Sequence, residues 1–172
     1  YHVGRGKYFV IEADEYDSAY FEKIPKFMVY RPTHCIMTSL EFDHADIYKN
    51  VDEIAVWFTH LKNLIPANGC IVYNRMYPHL CAINEKPLSL TKSYGMSNAD
   101  CSYHYKDGIL TISMDGKTIH AKPKIFGNFN YQNIAAAVAM ALTLGVSEGA
   151  IVSAIESFEG VKRRQEILYA SN

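Results

Sequence analysis

Apolar residues at Val51, Ile54, Phe58, Leu61 and Ile65 recur at helical spacing. They predict one long helix over about residues 50 to 64, stopped by Pro66, Asn68 and Gly69. Shorter apolar runs flank it. Tyr8 to Glu12, His34 to Leu40, Cys70 to Asn74 and Leu88 to Gly95 are β-prone and bounded by turn formers, so each predicts a strand. Ser18 to Lys23 and Pro78 to Asn84 predict short helices between them. Alternation of strand and helix calls for a parallel sheet with helices on its faces.

The pattern changes after Cys101. The stretch CSYHYKDGILTISMDGKTIHAK contains two Asp-Gly pairs, Asp107-Gly108 and Asp115-Gly116, each between alternating segments. Asp-Gly suits a type I′ hairpin turn because both central residues need positive φ. This predicts a three-stranded antiparallel meander with Leu110, Ile112 and Met114 on one face. Two helices follow. One spans about residues 129 to 144, with an alanine-rich face, and Gly145 ends it. The other opens at Ser147, a good N-cap, and runs to about Phe158. The expected fold is α/β: a Rossmann-like, mostly parallel sheet flanked by helices, with a small antiparallel β meander.

Composition narrows the function classes. The chain has 172 residues and a formal net charge of −1, enough for one domain and without the clustered basic face that nucleic acid demands. No apolar run is long enough for a membrane span, and no charged-then-apolar leader is visible. Cys35, Cys70, Cys81 and Cys101 form no C-x-x-C pair and are expected to be free thiols of a cytoplasmic protein. The chain begins at Tyr1, just ahead of a predicted strand, and is expected to be a piece of a larger protein.

Candidate chemistry gathers at predicted strand ends, where ligands of parallel sheets collect. Glu12 is the first acid after its apolar run, and a carboxylate there suits Mg²⁺, a hard ion with oxygen ligands. The plainer reading of the acids that follow, Asp14, Glu15 and Asp17, is that they favour the N-terminus of the next helix. For Glu12 the two readings balance. Asp43, His44 and Asp46 crowd the next exit. Histidine ordinarily prefers softer ions than Mg²⁺, and Asp43 or Asp46 can serve simply as turn formers. Asn130 and Asn133 share one face at the start of a helix, where amides can read a base edge, but on the residues alone the favoured reading is that Asn128 or Asn130 caps free N–H groups. The basic triplet Lys162, Arg163 and Arg164 offers forks for phosphate or a solvated surface.

In this order and spacing, EAD, DH-x-D, G-x-x-N-x-x-N-x-x-A-A-x-A and G-V-x-R-R-x-E resemble the Mur ligase family, over nearly the whole chain. The resemblance implies the family's central ATPase domain at residues 1–160, with 161–172 starting a linker to a further domain. Within the family, EADEYDSAYF, YRP and TSLEFDHADIY look most like the branch that joins L-alanyl-γ-D-glutamyl-meso-diaminopimelate to UDP-N-acetylmuramate in peptidoglycan recycling. The branch that adds L-alanine is the near alternative, and a non-catalytic module with the same fold is the third. The cofactors implied are ATP and Mg²⁺. Glu12 and His44 fall where the family binds its metal ions and places its catalytic groups. Asn130 and Asn133 fall where it contacts the adenine region, and Arg164 matches an arginine that approaches the phosphates.

Departures accompany the match. Phe129 replaces a usual His, Ser39 a common Asn, and Thr59 stands where some members carry a carbamylated lysine. No G-x-x-x-x-G-K-[ST] phosphate loop occurs in the 172 residues, so this piece alone is expected to lack ligase activity.

Overall fold

A computed structural model describes residues 4–16, 24–42 and 48–161. Among them the elements run α1 (Lys26–Tyr30), β1 (His34–Met37), α2 (Val51–Leu64), β2 (Cys70–Asn74), α3 (Pro78–Ile83), β3 (Leu90–Gly95), β4 (Cys101–Lys106), β5 (Ile109–Met114), β6 (Lys117–Ala121), α4 (Asn128–Thr143) and α5 (Glu148–Ser157). The strands form one 6-stranded sheet in sequential order.

β1 to β4 are parallel neighbours, and β5 and β6 extend the sheet as antiparallel strands. The meander is therefore not a separate appendage. β4 starts beside the end of β3, with Tyr94 opposite Cys101, and continues in the same direction. The Asp100 carboxylate holds this sidestep, accepting from the Ser93 N–H and hydroxyl, each at 2.7 Å. Both hairpin turns have the expected geometry, with φ 50° and 81° at Asp107 and Gly108 and 50° and 77° at Asp115 and Gly116.

Alternation along β2 divides the core. Cys70 and Val72 join the cluster under α4 and α5, together with Leu110, Ile112, Met114 and the alanine face at Ala135, Ala136 and Ala139. Ile71 joins the opposite cluster with Phe27, Met37, Ile54, Leu61 and Leu80 from α1, β1, α2 and α3. Small residues on α4 let its backbone approach the sheet closely. Asn50 caps α2 by accepting from the Glu53 N–H, and Ser147 caps α5 as predicted, accepting from Ala150. Gly69 leads into β2 under the Thr33 carbonyl, where a Cβ would collide with that backbone oxygen.

Two expectations need correction. Tyr8 to Glu12 is not a strand: among the described residues it has no ladder partner, and Phe9 and Val10 are 85% and 91% exposed. Its apolar sequence fits a strand, but a strand is stable only when a neighbour satisfies its backbone groups. The segment instead lies across a groove of about 790 Å³ from β1, touching it where the Tyr8 ring meets His34 edge to face, centroids 5.9 Å apart. β1 is also shorter than the predicted 34–40 strand. In turn, α1 went unpredicted: with only Phe27 buried it is too short to show a period, and Arg31, at φ 46°, ends it. The helix predicted at Ser18 to Lys23 lies outside the described residues, as does the predicted linker beyond Val161.

Candidate active site

The carboxyl ends of β1, β2 and β3 meet the N-terminus of α4 at one rim of the sheet. On its β1 side, two acid-bearing segments are tied together. Tyr48, buried, donates its hydroxyl to the Glu15 carbonyl at 2.7 Å. The stretch after Glu12 and the stretch before α2 are therefore neighbours in space. Asp14 accepts from the Lys26 ammonium at 3.1 Å and from the Tyr16 N–H at 3.2 Å, and this carboxylate raises the Lys26 pKa. Asp14 thus ties its segment to α1 through Lys26; the helix whose N-terminus it was expected to favour lies outside the described residues. Glu41, beyond β1, lies beside the Tyr77 hydroxyl. Burial first, and then the Glu41 hydrogen bond and charge, push the Tyr77 phenol up.

Glu12 is exposed, and the groove beside it is lined by Ile11, Ala13 and Glu15. Asp17, Asp43, His44, Asp46, Lys162, Arg163 and Arg164 all lie outside the described residues, so the pairing of Glu12 with His44 and the approach of Arg164 have no described geometry. The donors that are described here, carboxylates and carbonyls, are oxygen groups of the kind Mg²⁺ takes. Among the described residues, no three His, Cys, Asp or Glu side chains gather at one point.

On the α4 side, Gly127 adopts φ 97° and opens the helix without any side-chain cap. The N-cap residue is Gly127, one place before Asn128. Asn128 accepts the Tyr103 hydroxyl at 3.1 Å, and Asn130 Nδ2 donates back to the Phe126 carbonyl at 2.6 Å. Asn133 is exposed on the same helix face three residues on. Tyr131 stacks on Tyr105, ring centroids 4.2 Å apart, which fixes the first turn of α4 against β4. Asn130 and Asn133 are thus brought together at the strand exits. Thr59 spends its hydroxyl on the Ala55 carbonyl within α2.

Residues not singled out from sequence also build this rim: Tyr48, Asn74, Tyr77, Tyr103 and Gln132. The available signal was a polar residue closing the apolar run CIVYN, Asn74.

Fold and rim define an α/β domain whose polar groups gather at the strand exits beside the start of α4. The chain belongs to the Mur ligase family, whose middle-domain model matches residues 3–141. Members of this family are ATP-dependent peptide ligases. It is 32% identical over 183 residues to the UDP-N-acetylmuramate–L-alanyl-γ-D-glutamyl-meso-2,6-diaminoheptandioate ligase of Escherichia coli K12, covering 99% of this chain and 38% of that protein. A UDP-N-acetylmuramate–L-alanine ligase from Desulforapulum autotrophicum is 32% identical over 174 residues, covering 96% of this chain and 36% of that one. A crystal structure of the tripeptide ligase from Neisseria meningitides superposes with a TM-score of 0.80 at 34% identity, over 90% of this chain and 49% of that chain. The chain thus spans well under half the length of the curated relatives it matches. No described helix is long and apolar enough to cross a membrane.

Proposed function

We propose that the chain is the middle part of an ATP-dependent ligase that joins L-alanyl-γ-D-glutamyl-meso-diaminopimelate to UDP-N-acetylmuramate. The observation that carries this reading is the 32% identity to the Escherichia coli tripeptide ligase across 99% of the chain. In the reaction, the muramate carboxylate takes the terminal phosphoryl group of ATP, leaving ADP. The free amine of the peptide then attacks the acyl carbon, the amide forms, and inorganic phosphate departs. Mg²⁺ supplies charge neutralisation for the phosphoryl oxygens.

The chain's own residues hold and orient. Glu12 and His44 would hold the metal ion, Glu12 through its carboxylate. Asn130 and Asn133 hold the adenine end at the start of α4, and Arg164 meets the phosphates. The remaining domains for the sugar nucleotide and the incoming peptide belong to the full-length protein, which is cytoplasmic.

The test is phosphate release by the full-length protein given ATP, Mg²⁺, UDP-N-acetylmuramate and the tripeptide. Release that requires all components supports the reading, and release indifferent to the tripeptide overturns it. The 172-residue chain alone is expected to release none. A second reading, the L-alanine-adding ligase, draws on the equal identity to the Desulforapulum relative. Supplying tripeptide and L-alanine together to the full-length protein separates the two by which amine is consumed.

A further inference from the structure

Asn74 ends β2 and is 1% exposed, yet every polar atom of its carboxamide has work. Nδ2 donates to the Thr38 carbonyl at 3.0 Å and to Gln132 Oε1 at 3.4 Å, while Oδ1 accepts from the Met76 N–H at 3.0 Å. The Thr38 carbonyl is held a second time, by the buried Tyr94 hydroxyl at 3.4 Å. Gln132 lies on α4 between Asn130 and Asn133, and its own amide reaches Met76 Sδ at 3.4 Å. Three elements thus meet at one side chain: the exit of β1, the exit of β2 and the first turns of α4.

We propose that Asn74 is a positioning residue that sets α4, and with it Asn130 and Asn133, at a fixed place against the β1 exit at Thr38. Several features single it out. A buried amide with partners on three elements is costly to place unless all its groups are satisfied, and its removal strands the Met76 N–H and Gln132 Oε1 and leaves the Thr38 carbonyl with the long Tyr94 bond alone. Apolar packing at the end of β2 would do for stability alone, because a well-packed apolar side chain replaces a satisfied polar one at little cost. A directional clasp does what packing does not: it fixes the rotation and slide of α4 over the sheet. Small displacements of positioning groups are expensive for a site that acts chiefly by orientation.

The inference rests on the reading of α4 as the nucleotide-holding helix, so its test uses binding rather than turnover. Asn74→Asp keeps the size and the acceptor for Met76 but turns the donor toward Thr38 and Gln132 into a lone pair. In the full-length protein, calorimetry with Mg²⁺ and a non-hydrolysable ATP analogue should find binding weakened about tenfold, the loss of roughly one buried hydrogen bond. Binding of UDP-N-acetylmuramate should stay within about twofold, a change a general loss of structure would not spare. If Asn74→Asp does not fold, Gln132→Leu removes one arm of the clasp with Asn74 in place and should weaken the analogue about threefold. Unchanged analogue binding in the folded variant, or equal weakening of both ligands, overturns the proposal. Analogue binding that follows the prediction in a protein without tripeptide-dependent phosphate release would leave the clasp standing and refute the ligase reading.

Discussion

The two flanks of the sheet are built on different terms. The β4–β6 flank closes on itself: hairpin turns with their required positive φ, a satisfied sidestep at Asp100, and apolar residues covered by α4 and α5. The β1 flank is open. β1 faces a groove, the apolar segment at residues 8–11 lies across it largely exposed, and the backbone that follows this segment is tied to the stretch before α2 where Tyr48 donates to the Glu15 carbonyl. Glu12, the one metal candidate among the described residues, is on the open flank. The closed flank supplies a rigid base for α4, and the open flank leaves backbone and carboxylates accessible to ligands, which is where function is usually carried.

Substitutions on the two sides should separate accordingly. Leu110→Ala, in the closed flank and fully buried, should destabilise the chain by about 2–5 kcal/mol in denaturant unfolding. Gly69→Ala, beneath the Thr33 carbonyl, should cost about 2 kcal/mol and mark the β1–β2 junction as a tight place on the open side. Asp100→Asn should act less, and chiefly through pH. Burial opposes ionisation of Asp100, but the Ser93 hydrogen bonds and nearby Lys92 outweigh it and hold its pKa below the usual carboxylate range. Its contribution is therefore full above the ordinary aspartate pKa of about 4 and is lost as pH falls through the lowered value. The substitution should flatten the acid limb of the melting temperature, with an effect screened to under about 1 kcal/mol because the residue is exposed. Val10→Ala should change stability by less than about 0.5 kcal/mol. A large loss there would mean that residues 8–11 are packed in solution, erasing the contrast between flanks.

Legibility in the sequence follows the same divide. The meander and its turns were readable because Asp-Gly pairs and strict alternation are local signals, and α2, α4 and α5 because their apolar stripes or caps are. Tyr8 to Glu12 misled because composition reports the propensity for a strand but not the presence of a neighbour. α1 was invisible because five residues carry no period. The shared helix face of Asn130 and Asn133 was readable from their spacing, whereas Asn74 was missed because its contacts are to residues 36 and 58 positions away. The four cysteines are free, as expected, and burial pushes the Cys35 and Cys101 thiols up to about 12, which keeps them unreactive at neutral pH.

The account stands most directly on Glu12 as a metal-holding carboxylate of the open rim. Tripeptide-dependent phosphate release by the full-length protein, measured for Glu12→Ala beside Val10→Ala, tests it. The account predicts a loss of about a hundredfold or more for Glu12→Ala and a near-normal rate for its neighbour. A Glu12→Ala protein that turns over at the unsubstituted rate would contradict it.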